Sequence, residues 1–195
     1  MTNGATSEDP IRLFSDLFEQ AARSGAEPEA MVLSTVDADG RPSGRYVLLK
    51  AADERGFVFY TSLGSRKARA LQANPYAALT CYWPPDKQVR IEGRVERVSD
   101  ADADAYFATR PREFQLGAWA STQSAVLESR AVLDRRVEEA RARFEGAPVP
   151  RPPFWTGFRV VPHSIEFWTR DPHRLHQRVL YERRDASWAR SLLFP

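Results

Sequence analysis

Hydrophobic positions near the amino terminus recur at helical spacing, with Ile11, Phe14, Leu17, Phe18 and Ala21 on one face. Asp9 offers an N-cap oxygen, Pro10 suits the first helical position, and Gly25 stops the run. Beyond it the period changes. Ala30 to Val36 reads as a buried strand, closed by the Asp37–Gly40 turn. Arg45 to Lys50 reads as a second strand, and Asp53 to Gly56 turns the chain into a third, Phe57 to Ser62. Ser65 caps a short helix that Asn74-Pro75 ends, and Tyr76 to Trp83 is a fourth strand turned back by Pro84-Pro85-Asp86.

Gln88 to Val98 carries the clearest alternation: Val89, Ile91 and Val95 interleave with Arg90, Glu92, Arg94 and Glu96. That pattern predicts a strand with one buried and one wet face. Ser99 caps a helix running through Ala108, and a longer helix is expected from Val126 to Phe144, striped by Leu133, Val137, Ala140 and Phe144. An extended Pro148–Pro153 linker leads to strands expected at Gly157–Val161, Ser164–Thr169 and Arg174–Glu182. Strands and helices do not alternate strictly, so the expected class is mainly β with flanking helices (α+β), an antiparallel barrel or sandwich. Residues 1–8 are expected to be a disordered tail, and residues 9–195 a single domain.

Composition narrows the classes. At 43% hydrophobic and 28% charged residues, the chain of 195 is globular. Lys+Arg 28 nearly balances Asp+Glu 26, which argues against a protein that coats nucleic acid. The single Cys81 excludes a disulfide framework, and no apolar stretch reaches the ~18–20 residues that cross a bilayer. Met1 to Pro10 lacks the basic start and apolar core of a signal peptide, so a soluble cytoplasmic protein is expected. Charge is nevertheless segregated: residues 41–70 hold seven bases against two acids, and residues 1–30 hold six acids against two bases. Such a basic cluster suits an anionic ligand, or a solvated face.

Arg45 and Lys50, five apart on one strand, project to opposite faces and could serve two anions. Ser65-Arg66-Lys67 at a helix start, just after Tyr60-Thr61, makes a ready phosphate site. Tyr106 and Arg110 share a helix face; they could form a second anion site, while spacing alone favours a core aromatic and a C-terminal cap. Arg174, His176 and Arg178 alternate and are expected on one face of the last strand. No Ser-His-Asp arrangement is present, the three histidines lack metal-ligand spacing, and no Gly-rich nucleotide fingerprint follows a strand. Cys81 reads as a small buried apolar residue, and one or two of the five tryptophans could flank a flat aromatic ligand.

The chain resembles the pyridoxine/pyridoxamine 5′-phosphate oxidase family in a series of stretches that keep their order from about Asp9 to Pro195. They are Arg45-Tyr-Val-Leu-Leu-Lys50, Phe59-Tyr-Thr-Ser-Leu-Gly-Ser-Arg-Lys67, Arg110-Pro-Arg112, Gln115-Leu-Gly-Ala-Trp-Ala-Ser121 and Gln123-Ser124. Phe154-Trp155, Gly157-Phe-Arg159, Ile165-Glu-Phe-Trp168, Arg174-Leu-His176 and Arg178 continue the series.

The resemblance implies an FMN-binding split β-barrel that forms a homodimer, with FMN at the subunit interface. It implies oxidation of pyridoxine or pyridoxamine 5′-phosphate to pyridoxal 5′-phosphate, with hydride passing to FMN and dioxygen reoxidising it to give hydrogen peroxide. Carried over by position, Arg45, Tyr46, Val47, Leu48, Leu49, Lys50, Tyr60, Thr61, Arg66, Lys67, Gln88, Gln123, Ser124, Trp168 and Arg178 become FMN contacts. Lys50, Tyr106 and Arg110 become substrate-phosphate clamps, and Arg174, Leu175 and His176 substrate contacts, with Arg174 and His176 catalytic. No metal is implied.

Two departures stand out. Phe114 stands where the family commonly places a small Ser after Arg-Pro-Arg-X, and the short stretch before the first helix is expected not to supply the family's basic, Tyr-containing amino-terminal arm. Phe114 keeps open a related FMN oxidase of another flat anionic aromatic, of the phenazine-precursor type. A non-catalytic flavin-binding barrel is the third reading, opposed by Lys50, Tyr106, Arg110, Arg174 and His176.

Overall fold

The structure, a computed structural model, describes residues 9–195; the expected disordered tail lies outside the described residues. Helix α1 (Pro10–Arg23) starts where the sequence says, with the Asp9 side chain accepting from the Ile11 amide. Strands β1 (Ala30–Val36), β2 (Pro42–Leu48), β3 (Ala51–Asp53) and β4 (Gly56–Ser62) follow, then helix α2 (Arg66–Ala73) and strands β5 (Tyr76–Trp83) and β6 (Lys87–Arg97). Helices α3 (Asp100–Thr109), α4 (Arg112–Ala120) and α5 (Arg130–Arg143) precede β7 (Trp155–Thr169), β8 (Gln177–Arg184) and β9 (Ser187–Leu193).

The nine strands form one antiparallel sheet ordered β2-β1-β5-β6-β7-β4-β3, with β8 on β7 and β9 on β8. The sheet curls into a half-barrel. Strand β7 organises it: the whole of β6 pairs along one edge, while β4 takes the first half of the other edge and β8 the second. The main core lies inside the curl, where Met31, Leu33, Leu79, Val89, Ile91 and Ile165 are fully buried. Helix α1 closes one mouth by setting Phe14 edge-on against Phe57, with centroids 4.8 Å apart. A second cluster of Phe107, Leu116, Ala140, Phe144 and Trp155 packs under α3–α5. Among the described residues, no helix is long and apolar enough to cross a membrane.

Five expectations need correction. The two strands expected at Gly157–Val161 and Ser164–Thr169 are one, bent at a register shift opposite Glu92/Gly93. Pro162 pairs with Gly93 there, where a Cβ would overlap the Val161 carbonyl, so proline and glycine mark a bulge and not a strand end. The second strand runs Pro42–Leu48, which leaves Lys50 just outside it. Helix α4 was not expected, because only Leu116, Gln115 and Ala120 are buried and Gly117 interrupts the period. Helix α5 begins at Arg130, not at Val126, which is 97% exposed and precedes it. Strand β8 begins at Gln177, and β9 is a mostly exposed edge strand that shows no clean alternation.

Candidate active site

A cavity of about 440 Å³ opens where β2, β4 and the α3–α4 junction converge. Its walls hold Tyr46, Val47, Leu48 and Lys50 from β2 and its continuation, Tyr60 and Thr61 from β4, and Lys67 from α2. Tyr106, Arg110, Phe114, Gln123 and Trp155 close it. Of the helical pair, Arg110 is the C-cap of α3, and both it and Tyr106 line the cavity.

Aromatic rings stack on one side. Tyr60 stacks on Tyr106 at 4.1 Å and on Trp155 at 5.0 Å, with interplanar angles of 17° and 8°, and Tyr106 and Trp155 are themselves 6.2 Å apart. The Arg110 guanidinium sits 4.9 Å from the Trp155 ring centroid and 5.5 Å from that of Phe107. Its Nη1 is buried and, among the described residues, has no hydrogen-bond partner. Burial lowers the Arg110 pKa from its ordinary value and raises those of the Tyr60 and Tyr106 phenols.

The start of α2 is the second polar centre. Ser65 caps the helix by accepting from the Ala68 amide, and Lys67 follows with only 9% of its surface exposed. Lys67 Nζ donates to Thr61 Oγ1 at 3.2 Å, and Thr61 in turn donates to Gln123 Oε1 at 2.9 Å. The same Gln123 oxygen accepts from the Ser62 amide, and Ser124 Oγ accepts from the Arg66 amide at 3.1 Å. Residues distant in sequence thus meet at one helix start. Burial, then the nearby Arg45, lowers the Lys67 pKa. Arg45 itself lies outside the cavity wall, its guanidinium donating to the Leu33 carbonyl, Thr35 and Ser43. Leu49 is in the core, and its amide donates to the Glu29 carbonyl.

The remaining candidates assemble elsewhere. Gln88, Trp168 and Arg178 align across β6, β7 and β8. The His176 ring lies 4.7 Å from that of Trp168. Arg174 and His176 are not on the strand, as alternation suggested, but in the turn before it, where Arg174 has φ +66°. Asp171 builds that turn: its carboxylate accepts from the His173 and Leu175 amides, and its own amide donates to His176 Nδ1 at 3.1 Å. Leu175 is exposed. Trp168 stands eleven residues from Gly157, the β7 partner of Tyr60, so at ~3.3 Å per residue up to roughly 36 Å of strand separates the groups. None of Gln88, Trp168, Arg174, His176 and Arg178 lines the cavity, so within one chain the candidate residues form two separate groups.

Sequence reasoning missed Asp171 and also Glu166, a buried carboxylate between Ile165 and Phe167. An acid inside an apolar strand and an Asp-Pro pair before the Arg-Leu-His stretch were their signals. Cys81 is buried and its thiol is pushed up to about 12, as expected of a packing residue. Among the described residues no cluster of His, Cys, Asp or Glu could hold a metal.

Residues 18–144 match the sequence model of the family described as pyridoxamine 5′-phosphate oxidase, about two thirds of the chain. The chain belongs to this family. Residues 155–195 match a second model, the pyridoxine 5′-phosphate oxidase C-terminal dimerisation region. The chain is 58% identical to a pyridoxine/pyridoxamine 5′-phosphate oxidase of Rubrobacter xylanophilus, over 96% of this chain and 87% of that one. It is 57% identical to the enzyme of the same name from Myxococcus xanthus, over 96% and 92%. Among solved structures, PhzG from Burkholderia lata 383, in complex with tetrahydrophenazine-1-carboxylic acid, superposes with a TM-score of 0.92 at 33% identity, covering 98% of this chain and 95% of that one. A pyridoxamine 5′-phosphate oxidase-related, FMN-binding protein of Nostoc punctiforme shares the fold, with a TM-score of 0.78 at 20% identity, covering 97% of this chain and all of that one. Within this family assignment, the cavity falls mainly in the first matched region and the Trp168–Arg178 group in the second.

Proposed function

We propose that the chain is an FMN-dependent oxidase that converts pyridoxine 5′-phosphate or pyridoxamine 5′-phosphate to pyridoxal 5′-phosphate. One observation carries the reading: Arg110, whose buried Nη1 has no hydrogen-bond partner among the described residues, lines a cavity together with Lys50 and Tyr106. A buried, unpaired guanidinium nitrogen is costly unless an anion meets it, and a phosphate monoester suits it. The α2 start supports an FMN phosphate there, because Lys67 is nearly buried and, among the described residues, its ammonium meets a hydroxyl and no carboxylate.

FMN, when bound, supplies the hydride acceptor and the reaction with dioxygen that releases hydrogen peroxide. The protein's residues bind and orient. Thr61, Arg66, Lys67, Gln123 and Ser124 hold the cofactor at the α2 start, with Arg45 adding charge from behind, and Tyr46 to Lys50 supply the adjoining wall. Lys50, Tyr106 and Arg110 clamp the substrate phosphate, and the Tyr60–Tyr106–Trp155 stack keeps Arg110 in place. Two copies of the chain pair so that Gln88, Trp168, Arg174, Leu175, His176 and Arg178 of one face the cavity of the other. The separation of the two groups and the matched dimerisation region support that pairing. Arg174 stabilises negative charge, since a guanidinium keeps its proton. His176 accepts at Nδ1 from the Asp171 amide, so the neutral ring carries its proton on Nε2 and donates there. Residues 9–195 act as one FMN-binding domain in this reading, in the cytoplasm.

The test is anaerobic: add pyridoxamine or pyridoxine 5′-phosphate to the yellow protein and follow loss of the oxidised-flavin band. Rapid bleaching with aldehyde formation is the expected result; a protein that stays yellow refutes the substrate assignment.

A second reading has its own observation. Phe114 is 61% exposed and lines both the cavity and an adjoining recess of about 330 Å³, giving a flat, wider aromatic anion a surface to stack on. Bleaching by a dihydrophenazine carboxylate but not by pyridoxamine 5′-phosphate would select it.

A further inference from the structure

Beneath the Trp168–Arg178 group lies a carboxylate that the assignments above do not use. Glu166 is only 4% exposed, in the middle of β7. Strand register sets Arg90 of β6 directly beside it and places Arg178 of β8 opposite Trp168, two residues along. Glu166 Oε1 accepts from Arg178 Nε at 2.6 Å. Glu166 Oε2 lies 2.8 Å from Arg90 Nη2, an ion pair without hydrogen-bond alignment. Removing a carboxylate from water costs several kcal/mol, so this position is tenable only with both guanidiniums in place.

The consequence for Arg178 is geometric. Its Nε is held by Glu166 and its Nη1 by the Phe194 carbonyl at 3.0 Å. Two edges of the planar fork are therefore fixed, and among the described residues Nη2 has no hydrogen-bond partner. An arginine tied at two points loses little further freedom when its last nitrogen meets a ligand. Charge is shared unequally: among the described residues Arg90 pairs with both Glu92, at 2.9 Å, and Glu166, whereas Arg178 pairs with Glu166 alone, so Arg178 is the less neutralised of the two guanidiniums.

We propose that Glu166 is a positioning residue, which fixes the Arg178 guanidinium in the orientation that receives FMN without touching FMN itself. This rests on the reading of Arg178 as an FMN contact. The same bond raises the Arg178 pKa, which keeps the positioned group charged.

The test is a double-mutant cycle in the full chain, stripped of FMN and titrated with FMN by flavin fluorescence, with the apoprotein unfolding midpoint measured alongside. Arg178→Ala and Glu166→Gln are each expected to weaken FMN binding about tenfold, and the double variant no further than Arg178→Ala alone. Native affinity in Glu166→Gln beside weakened binding in Arg178→Ala overturns the positioning role. So does a double variant whose losses multiply, since that marks a general structural effect. Native affinity in Arg178→Ala instead removes Arg178 from the FMN site and sinks the underlying reading. If Glu166→Gln does not fold, Glu166→Asp takes its place in the cycle: it keeps the charge but falls short of Arg178, and the same outcomes apply.

Discussion

Tyr60 on β4 and Tyr106 on α3 stack with ring centroids 4.1 Å apart and 17° between their planes, although 46 residues separate them in sequence. That contact joins the barrel wall to the helical layer and, through Trp155, forms the plate on which Arg110 lies. The cation is held by ring faces and not by a carboxylate, so its hydrogen-bonding capacity stays available to a ligand.

Arg110→Met keeps an unbranched chain against Trp155 but removes the charge. The KM for pyridoxamine 5′-phosphate is expected to rise about 10- to 100-fold, as hydrogen bonds to a charged group are worth about 1.5–3 kcal/mol. The unfolding midpoint of the apoprotein is expected to hold or rise, because a buried unpaired nitrogen disappears. Steady-state kinetics and thermal melts check both halves.

Lys67 makes a pH prediction of two opposite signs. Its folded-state pKa is lowered below the ordinary 10.5, chiefly by burial. Between the lowered value and 10.5 the unfolded chain holds a proton that the folded apoprotein has released, so stability rises with pH across that window. Binding of the FMN phosphate depends on the charged ammonium, so affinity falls across the same window. Lys67→Met is expected to remove both slopes relative to the native chain, read from denaturant unfolding and FMN titrations on the alkaline side.

Arg174 occupies a left-handed backbone conformation that favours glycine. Arg174→Gly therefore deletes the guanidinium while suiting the turn, whereas Arg174→Ala also retains strain of about 1 kcal/mol. Both variants are expected to slow anaerobic flavin reduction about 100-fold with FMN still bound, and the glycine variant to melt no lower than the alanine one. Stopped-flow absorbance and melting curves separate the two effects.

Gly93 marks the bend of the central strand pair, and a Cβ there would overlap the Val161 backbone. Gly93→Ala is expected to destabilise the protein by about 1–3 kcal/mol, because backbone has to move. A matched loss in urea midpoint for apo- and holoprotein would place the damage in the barrel and not in the cofactor site.

Local signals in the chain proved legible where the physics is local. The caps Asp9, Ser65 and Ser99 each accept a helix-start amide, and the alternation of Val89, Ile91 and Val95 is the buried face of β6. Where a local signal had two causes it misled. Pro162 reads as a strand break but sits at a bulge, and the two-residue spacing of Arg174, His176 and Arg178 reads as one strand face though two of them lie in a turn.

By itself the sequence determined the antiparallel strands, their turns, the capped helices and the family, because periodicity, capping and motif order are properties of neighbouring residues. Only the tertiary structure decided that Gln123 and Ser124 reach the α2 start, that Arg110 Nη1 is buried and unpaired, and that Glu166 lies beneath Arg178. It also decided that the candidate residues fall into two groups at opposite ends of β7. These are matters of strand order and register, set by which apolar faces bury one another across the whole chain.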